Sequence, residues 1–223
     1  MKPSSILLNF LVVSLTTAIC TASPVPDVQT IARAIDSHYD HLRSLQADFT
    51  ETYRGAGIER TESGTLWLKK PGKMRWEYRS PREKLFLSDG KDAWFYVPGE
   101  RQARKMSLRK LDDLRSPLAF LLGKTKLEKE LQGLSLAGDV TPLSPSDVVL
   151  RGVPKALAGR VNQVLIEVSP DRWIRRIVIE EADDSVTEYR FSDQRENVDV
   201  AAERFHFQPE PGVEVIEGDL GPN

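Results

Sequence analysis

The chain has 223 residues, 31 of them basic and 33 acidic, with 40% hydrophobic and 29% charged side chains. That length suits one domain, or at most two small ones, with enough apolar material for a real core and too much for a disordered chain. A formal charge of -2 excludes the basic surface that a nucleic-acid binder needs, and there is no apolar run of about 20 residues to span a bilayer.

Residues 1–22 read as an export signal. Lys2 is a short positive region, Ile6 to Ile19 is apolar but diluted by Asn9, Thr16 and Thr17, and Cys20-Thr21-Ala22 offers small residues for cleavage after Ala22. The competing reading is a buried N-terminal helix. Cys20 is the single cysteine; Ile19 is branched and Thr17 polar where a lipoprotein signal wants a small residue and Leu. If Cys20 leaves with the signal, the mature chain, 23–223, holds no thiol and its core must supply the stability. It is expected to form one domain with a loose tail from about 209.

Asp27 is a candidate cap for a helix over 27–44, with Val28, Ile31, Ala32, Ile35, Leu42 and Leu45 as its apolar stripe. The period then changes to two: Leu45, Ala47, Phe49 and Tyr53 alternate with Gln46, Asp48, Thr50 and Thr52, which predicts a half-buried strand. A strand over 60–70 is followed by the turn pair Pro71-Gly72. Over 73–80, Met74, Trp76 and Tyr78 take one face and Arg75, Glu77 and Arg79 the other. Strands at 83–88 and 91–97 flank Asp89-Gly90, a strong hairpin signal, and Pro98-Gly99 turns into 100–106. Adjacent strands without helical crossovers predict an antiparallel meander.

The pattern breaks at 107–132. Leu108, Leu111 and Leu114 make a short helical stripe; Ser116, Pro117 and Gly123 bound an all-apolar helical piece; 126–132 adds a polar turn of helix. Strands resume at 133–139, 147–152, 161–169, 173–180, 185–192 and 204–208, with Pro170-Asp171 and Asp183-Asp184 as turns. Ten or eleven strands in one sheet must twist and curl.

No constellation asks for an enzyme. Asp36, His38, Asp40 and His41 cluster, but only the two histidines would share a helix face, and a third placed metal ligand is missing. His206 alternates with Phe205 and Phe207 and reads as an outward strand residue. Gly123-Lys124-Thr125 lacks the earlier glycine of a phosphate loop, position 118 being Leu. Glu180-Glu181 and Asp183-Asp184 read as solvated turn acids, and no nucleophile elbow occurs. No metal or cofactor is expected. A few short helices over a curled sheet rich in aromatics (Trp67, Trp76, Tyr78, Trp94, Phe95, Tyr96) leave two readings open: a well-filled core, or an apolar pocket for a lipid or acyl chain.

Several segments resemble the LolA family of periplasmic lipoprotein carriers: Ser44 to Thr50 (SLQADFT), Gly64 to Tyr78 (GTLWLKKPGKMRWEY), Ser88 to Pro98 (SDGKDAWFYVP), Ser116 to Leu122 (SPLAFLL) and Ala202 to Phe207 (AERFHF). Their order and spacing extend the resemblance over roughly 27–215. It implies an α+β, mainly β fold: an incomplete antiparallel β-barrel of about eleven strands with a lid of short helices. It also implies a soluble monomer that takes triacylated lipoproteins from an inner-membrane ABC exporter (LolCDE) to an outer-membrane receptor (LolB), without cofactor or covalent chemistry.

On this resemblance Phe49, Leu66, Leu68, Met74, Trp76, Tyr78, Leu85 and Leu87 would line the acyl-chain cavity, and Ile31, Ile35, Leu118, Leu121 and Leu122 the lid. Many members have an Arg that holds lid backbone; Lys70 stands there, with the charge but without the planar fork. If Lys70 points inward, period two sends Leu68 and Leu66 inward and Trp67 outward. Rival readings are a carrier of free phospholipid, glycolipid or hopanoid-like lipid, an envelope lipid sensor, and a hydrolase.

Overall fold

The computed structural model describes residues 27–108 and 126–218. Helix α1 (Val28–His41) leads into β1 (Ser44–Gly55), β2 (Ile58–Lys69), β3 (Lys73–Ser80), β4 (Lys84–Asp89), β5 (Asp92–Tyr96) and β6 (Gln102–Ser107). After the gap come the four-residue helix α2 (Leu127–Glu130), then β7 (Leu131–Leu136), β8 (Val148–Pro154), β9 (Val161–Val168), β10 (Ile174–Glu181), β11 (Val186–Glu196) and β12 (Glu214–Glu217). Among the described residues no helix is long and apolar enough to cross a membrane. The proposed signal and the helical piece at 116–122 lie outside the described residues.

All twelve strands join one sheet in the order β12-β6-β5-β4-β3-β2-β1-β11-β10-β9-β8-β7. Neighbours run antiparallel except β12, which is parallel to β6. The end strands, β12 and β7, do not pair with each other, so the barrel is incomplete. Its curl is visible in the side chains. Strands β3 and β11 are three steps apart, about 14 Å in a flat sheet. Yet Trp76 on β3 and Tyr189 on β11 have ring centroids only 5.9 Å apart.

Local chemistry fixes the turns. Ala56 and Gly57 both take positive φ (49° and 76°), which makes the two-residue loop of the β1–β2 hairpin. Gly64 is a close-approach position: a Cβ there would lie 1.9 Å from the Glu77 carbonyl oxygen of β3. With no side chain at Gly64, Phe49 and Tyr78 from the flanking strands meet, centroids 4.9 Å apart.

Four expectations are corrected. The helix expected over 27–44 ends at His41; Leu42 is extended (φ -66°, ψ 131°) because the β1–β2 ladder begins at Ser44 opposite Lys69. The helical turn expected over 126–132 gives way at Leu131, which opens β7 against Pro154 of β8. The strand expected at 204–208 is a 3-10 turn, Ala202–Phe205; the alternation survives, with His206 exposed between buried Phe205 and Phe207. The tail from 209 is not wholly loose, since β12 extends the sheet at its β6 edge.

One face of the sheet carries the main core. Leu66, Leu150, Val164, Ile166, Ile174 and Ile177 are fully buried there, in one cluster with Ala32, Ile35 and Tyr39 of α1. The other face is covered in two places. Phe207 packs on Leu87, Tyr96 and Ala103, and the 137–147 loop covers Val149, Leu165 and Val178.

Candidate functional site: the inner face and its tethered helix

Alternation along β1, β2 and β3 places Phe49, Leu66, Leu68, Met74, Trp76 and Tyr78 on the inner face, all in or against the main core. Trp67 points outward and lies under the Arg204 guanidinium, 4.3 Å from its ring centroid. The centre is an aromatic cluster. Phe49 meets Trp76 edge-on (4.6 Å) and Tyr78 (4.9 Å); Trp76 reaches Tyr189 (5.9 Å) and Phe191 (6.3 Å) on β11.

Leu85 and Leu87 do not join this set. Antiparallel partners share a face. Trp76 lies opposite Phe86, so Phe86 is the inner residue of β4, and Phe95 follows it on β5. Leu85 and Leu87 lie opposite Glu77 and Arg75 and pack on the outer face with Tyr96, Trp94 and Phe207. The strand is apolar at 85, 86 and 87 because both its faces are covered, so local periodicity cannot choose the inner one.

Helix α1 covers part of the inner face with Ala32, Ile35 and Tyr39, all buried, and with Val28 and Ile31, half-buried. Its C-terminal carbonyls lack helical partners. Lys70 supplies donors: its Nζ donates to the Tyr39 carbonyl (2.6 Å) and the Asp40 carbonyl (2.9 Å). Partial burial lowers the pKa of Lys70, and Asp40 acts the other way. Four more polar contacts tether the helix. The Ile174 amide donates to the Tyr39 hydroxyl (3.0 Å), the Leu127 amide to the Asp36 carboxylate (3.1 Å), Lys126 pairs with Asp40, and Arg33 with Glu128 (3.3 Å). Burial raises the Asp36 pKa. Leu118, Leu121 and Leu122 lie outside the described residues.

The far end of the inner face is polar, which the sequence reading missed. Glu51 and Glu62 are directly opposite each other on β1 and β2. Tyr78 Oη donates to Glu51 (2.7 Å); Glu62 is buried and holds Lys84 (2.6 Å) and Arg60 (3.4 Å). Burial, more than the neighbouring acid, raises the Glu51 pKa; burial and then the Glu51 charge push Tyr78 up. The signal available was Glu51 at an even spacing from Phe49, on the apolar face of its strand.

Within the Asp36–His41 cluster, Asp36 and Asp40 tether α1 and His38 packs. His38 stacks edge-on against Trp173 (4.6 Å), and among the described residues no three His, Cys, Asp or Glu side chains are grouped to hold a metal. An open groove of about 710 Å³ lies on the side of Leu85 and Phe207 rather than over the aromatic centre, and Arg75, Glu77, Arg79, Glu83, Arg204 and Glu210 give it charged walls. On the inner face Trp76 is buried, while Met74, Tyr78, Phe86 and Phe95 keep partial exposure. Helix α1 occupies part of that face with Ala32, Ile35 and Tyr39, contacts that a large apolar ligand would displace.

Residues 40–208 match a family model described as outer membrane lipoprotein carrier protein LolA. Two relatives are named outer-membrane lipoprotein carrier protein. The Cronobacter sakazakii protein is 32% identical over 209 residues, covering 91% of this chain and 96% of its own; the Chromobacterium violaceum protein is 31% identical over 206 residues, covering 91% and 95%. Among solved structures, an uncharacterized conserved protein from Thermus thermophilus shares the fold at a TM-score of 0.56 and 11% identity, covering 85% of this chain and 98% of its own.

Proposed function

The chain belongs to the LolA family of outer membrane lipoprotein carrier proteins, and from that premise we propose that it is a periplasmic chaperone that shelters the acyl chains of lipoproteins between two membranes. Residues 1–22 direct export, and 23–223 form the single carrier domain. Triacylated lipoproteins arrive from an inner-membrane exporter of the LolCDE type and leave to an outer-membrane receptor of the LolB type. The protein acts as a monomer and binds without transforming its cargo.

The observation that carries this reading is an apolar inner face partly covered by a helix that rests on it through Ala32, Ile35 and Tyr39 and is held at its end by Lys70. Phe49, Leu66, Leu68, Met74, Trp76, Tyr78 and Phe86 form the acyl-chain surface. Ile31 and Ile35 belong to the lid, with Leu118, Leu121 and Leu122 as its second part. Lys70 is the latch. When the lid moves off, acyl chains replace its contacts with the sheet.

The exchange is near balance for a physical reason. Each buried methylene contributes about 0.8 kcal/mol, so a sixteen-carbon chain gains on the order of 12 kcal/mol if fully covered. Displacing the lid's own apolar contacts offsets much of that. Partial cover keeps cargo bound yet transferable, and a receptor with a more apolar or better-closed pocket draws it off without nucleotide at this protein. The test is recovery of the tagged mature protein from the periplasm, followed by mass spectrometry of what accompanies it. Triacylated polypeptides support the function; free phospholipid or glycolipid alone would replace it with the lipid-carrier reading.

A further inference from the structure

Trp76 is 2% exposed at the centre of the inner face, and its indole Nε1 is buried with no hydrogen-bond acceptor among the described residues. A buried Trp N–H usually finds a partner, and leaving one unpaired destabilises the state that buries it. Phe49, Tyr189 and Phe191 surround the indole with rings. The neighbouring hydroxyl of Tyr78 is already donating to Glu51. Among the described residues, the other buried polar atoms without a hydrogen bond are elsewhere. His38 Nε2 is on α1, and Tyr96, which packs with Leu87, is on the outer face. Arg151 and Glu167 lie opposite Leu165 and Val149 of the outer cluster, and are ion-paired to Asp139 and Arg176.

The surroundings restrict what would satisfy the indole donor. Its partner must be an acceptor and must enter an apolar, aromatic site. A carboxylate or phosphate would lose its hydration among those rings, which disfavours an anion. A neutral carbonyl at the root of a hydrocarbon chain meets both conditions.

We propose that Trp76 donates its indole N–H to the carbonyl oxygen of an acyl linkage in the cargo, and so sets the depth at which an acyl chain comes to rest. This rests on the carrier function proposed above. The carbonyl belongs either to a glyceryl ester or to the N-acyl amide of the lipidated cysteine. An inner face that recognises only hydrocarbon would not distinguish an acyl chain from an alkyl chain. One with this donor does.

The experiment measures binding of a synthetic triacyl cysteinyl lipopeptide and two analogues by the full mature protein. One analogue has ether links in place of the esters; the other has an N-alkyl group in place of the N-acyl amide. Wild type is expected to bind one analogue about fivefold more weakly than the parent, equivalent to about 1 kcal/mol, and which analogue it is names the acceptor. Trp76→Phe should abolish that difference, bringing the ratio of parent to analogue affinity to about one whatever happens to the overall affinity. Replacing Trp76 by β-(3-benzothienyl)alanine, a close isostere without the N–H, gives the same comparison if the smaller ring disturbs the core. Equal binding of all three lipopeptides by wild type, or a preference that survives both substitutions, overturns the Trp76 assignment and leaves the carrier function standing. Failure to bind any of the three overturns the carrier function, and the assignment with it.

Discussion

Lys70→Met removes the donors that hold the end of α1 and keeps most of the apolar stem. Two carbonyls, of Tyr39 and Asp40, then lose their charge-assisted hydrogen bonds of 2.6 and 2.9 Å. Each such bond contributes about 1.5–3 kcal/mol when buried, but Lys70 is half-exposed and water replaces part of the loss; about 2 kcal/mol for the pair is the working figure. That shifts the equilibrium between seated and lifted α1 by about 30-fold. Native-state hydrogen exchange read by mass spectrometry reports it directly. Amides of α1 should exchange about 10- to 30-fold faster, while those of the β1–β2 hairpin stay within about twofold of wild type. Lys70→Arg should hold α1 at least as well, since its fork offers more donors. If α1 exchanges at the wild-type rate in Lys70→Met, the helix is held by its apolar stripe alone and Lys70 is no latch.

Three further outcomes follow from the packing and the charges. Phe86→Glu places a charge on the inner face and should cut lipoprotein capture at least tenfold, whereas Leu87→Glu should lower the melting temperature through the outer cluster and leave capture per folded molecule unchanged. Glu51 has a raised pKa in the folded state, so folding holds its proton more tightly than the unfolded chain does. Its burial is tolerated below its ordinary value and destabilises increasingly as pH rises through the folded value; Glu51→Gln should therefore be stabilising in thermal melts at pH 8, with the advantage gone near pH 4. Gly64→Ala drives a methyl group into the Glu77 carbonyl and should destabilise by about 2–3 kcal/mol in urea titration; a wild-type midpoint would contradict the close approach.

The fold was legible where one face of a strand is apolar and the other charged. Met74, Trp76 and Tyr78 declare one face of β3 without help; on β2 the run Leu66-Trp67-Leu68 is apolar throughout, and Leu66 and Leu68 are placed inward only through the family resemblance and the inward setting of Lys70. Legibility fails where both faces are covered. Leu85-Phe86-Leu87 has no period, and its inner residue is set by cross-strand register from Asp89-Gly90 and by Phe207, more than a hundred residues away. The short parallel strand β12 was also missed: Val215 and Ile216 are β-branched, but they sit in a stretch rich in Pro, Gly and acids that reads as a tail, and the ladder comes from the β6 edge. The even spacing of Glu51 from Phe49 puts it on the apolar face, but its pairing with Glu62 emerges only when β1 and β2 are aligned. The place of Lys70 came from family resemblance; its acceptors, the last carbonyls of α1, came from the structure.

Two faces of the sheet compete as the seat of cargo: the apolar inner face at half-buried Phe86, and the open charged groove at Glu83. A photo-crosslinking amino acid at each position, exposed to acylated lipoprotein released from inner membranes, decides between them. An adduct at Phe86 that requires the cargo to be acylated, with none at Glu83, is the expected result. An adduct at Glu83 alone, or equal labelling by unacylated cargo, would contradict an acyl-chain carrier that works by opening its inner face.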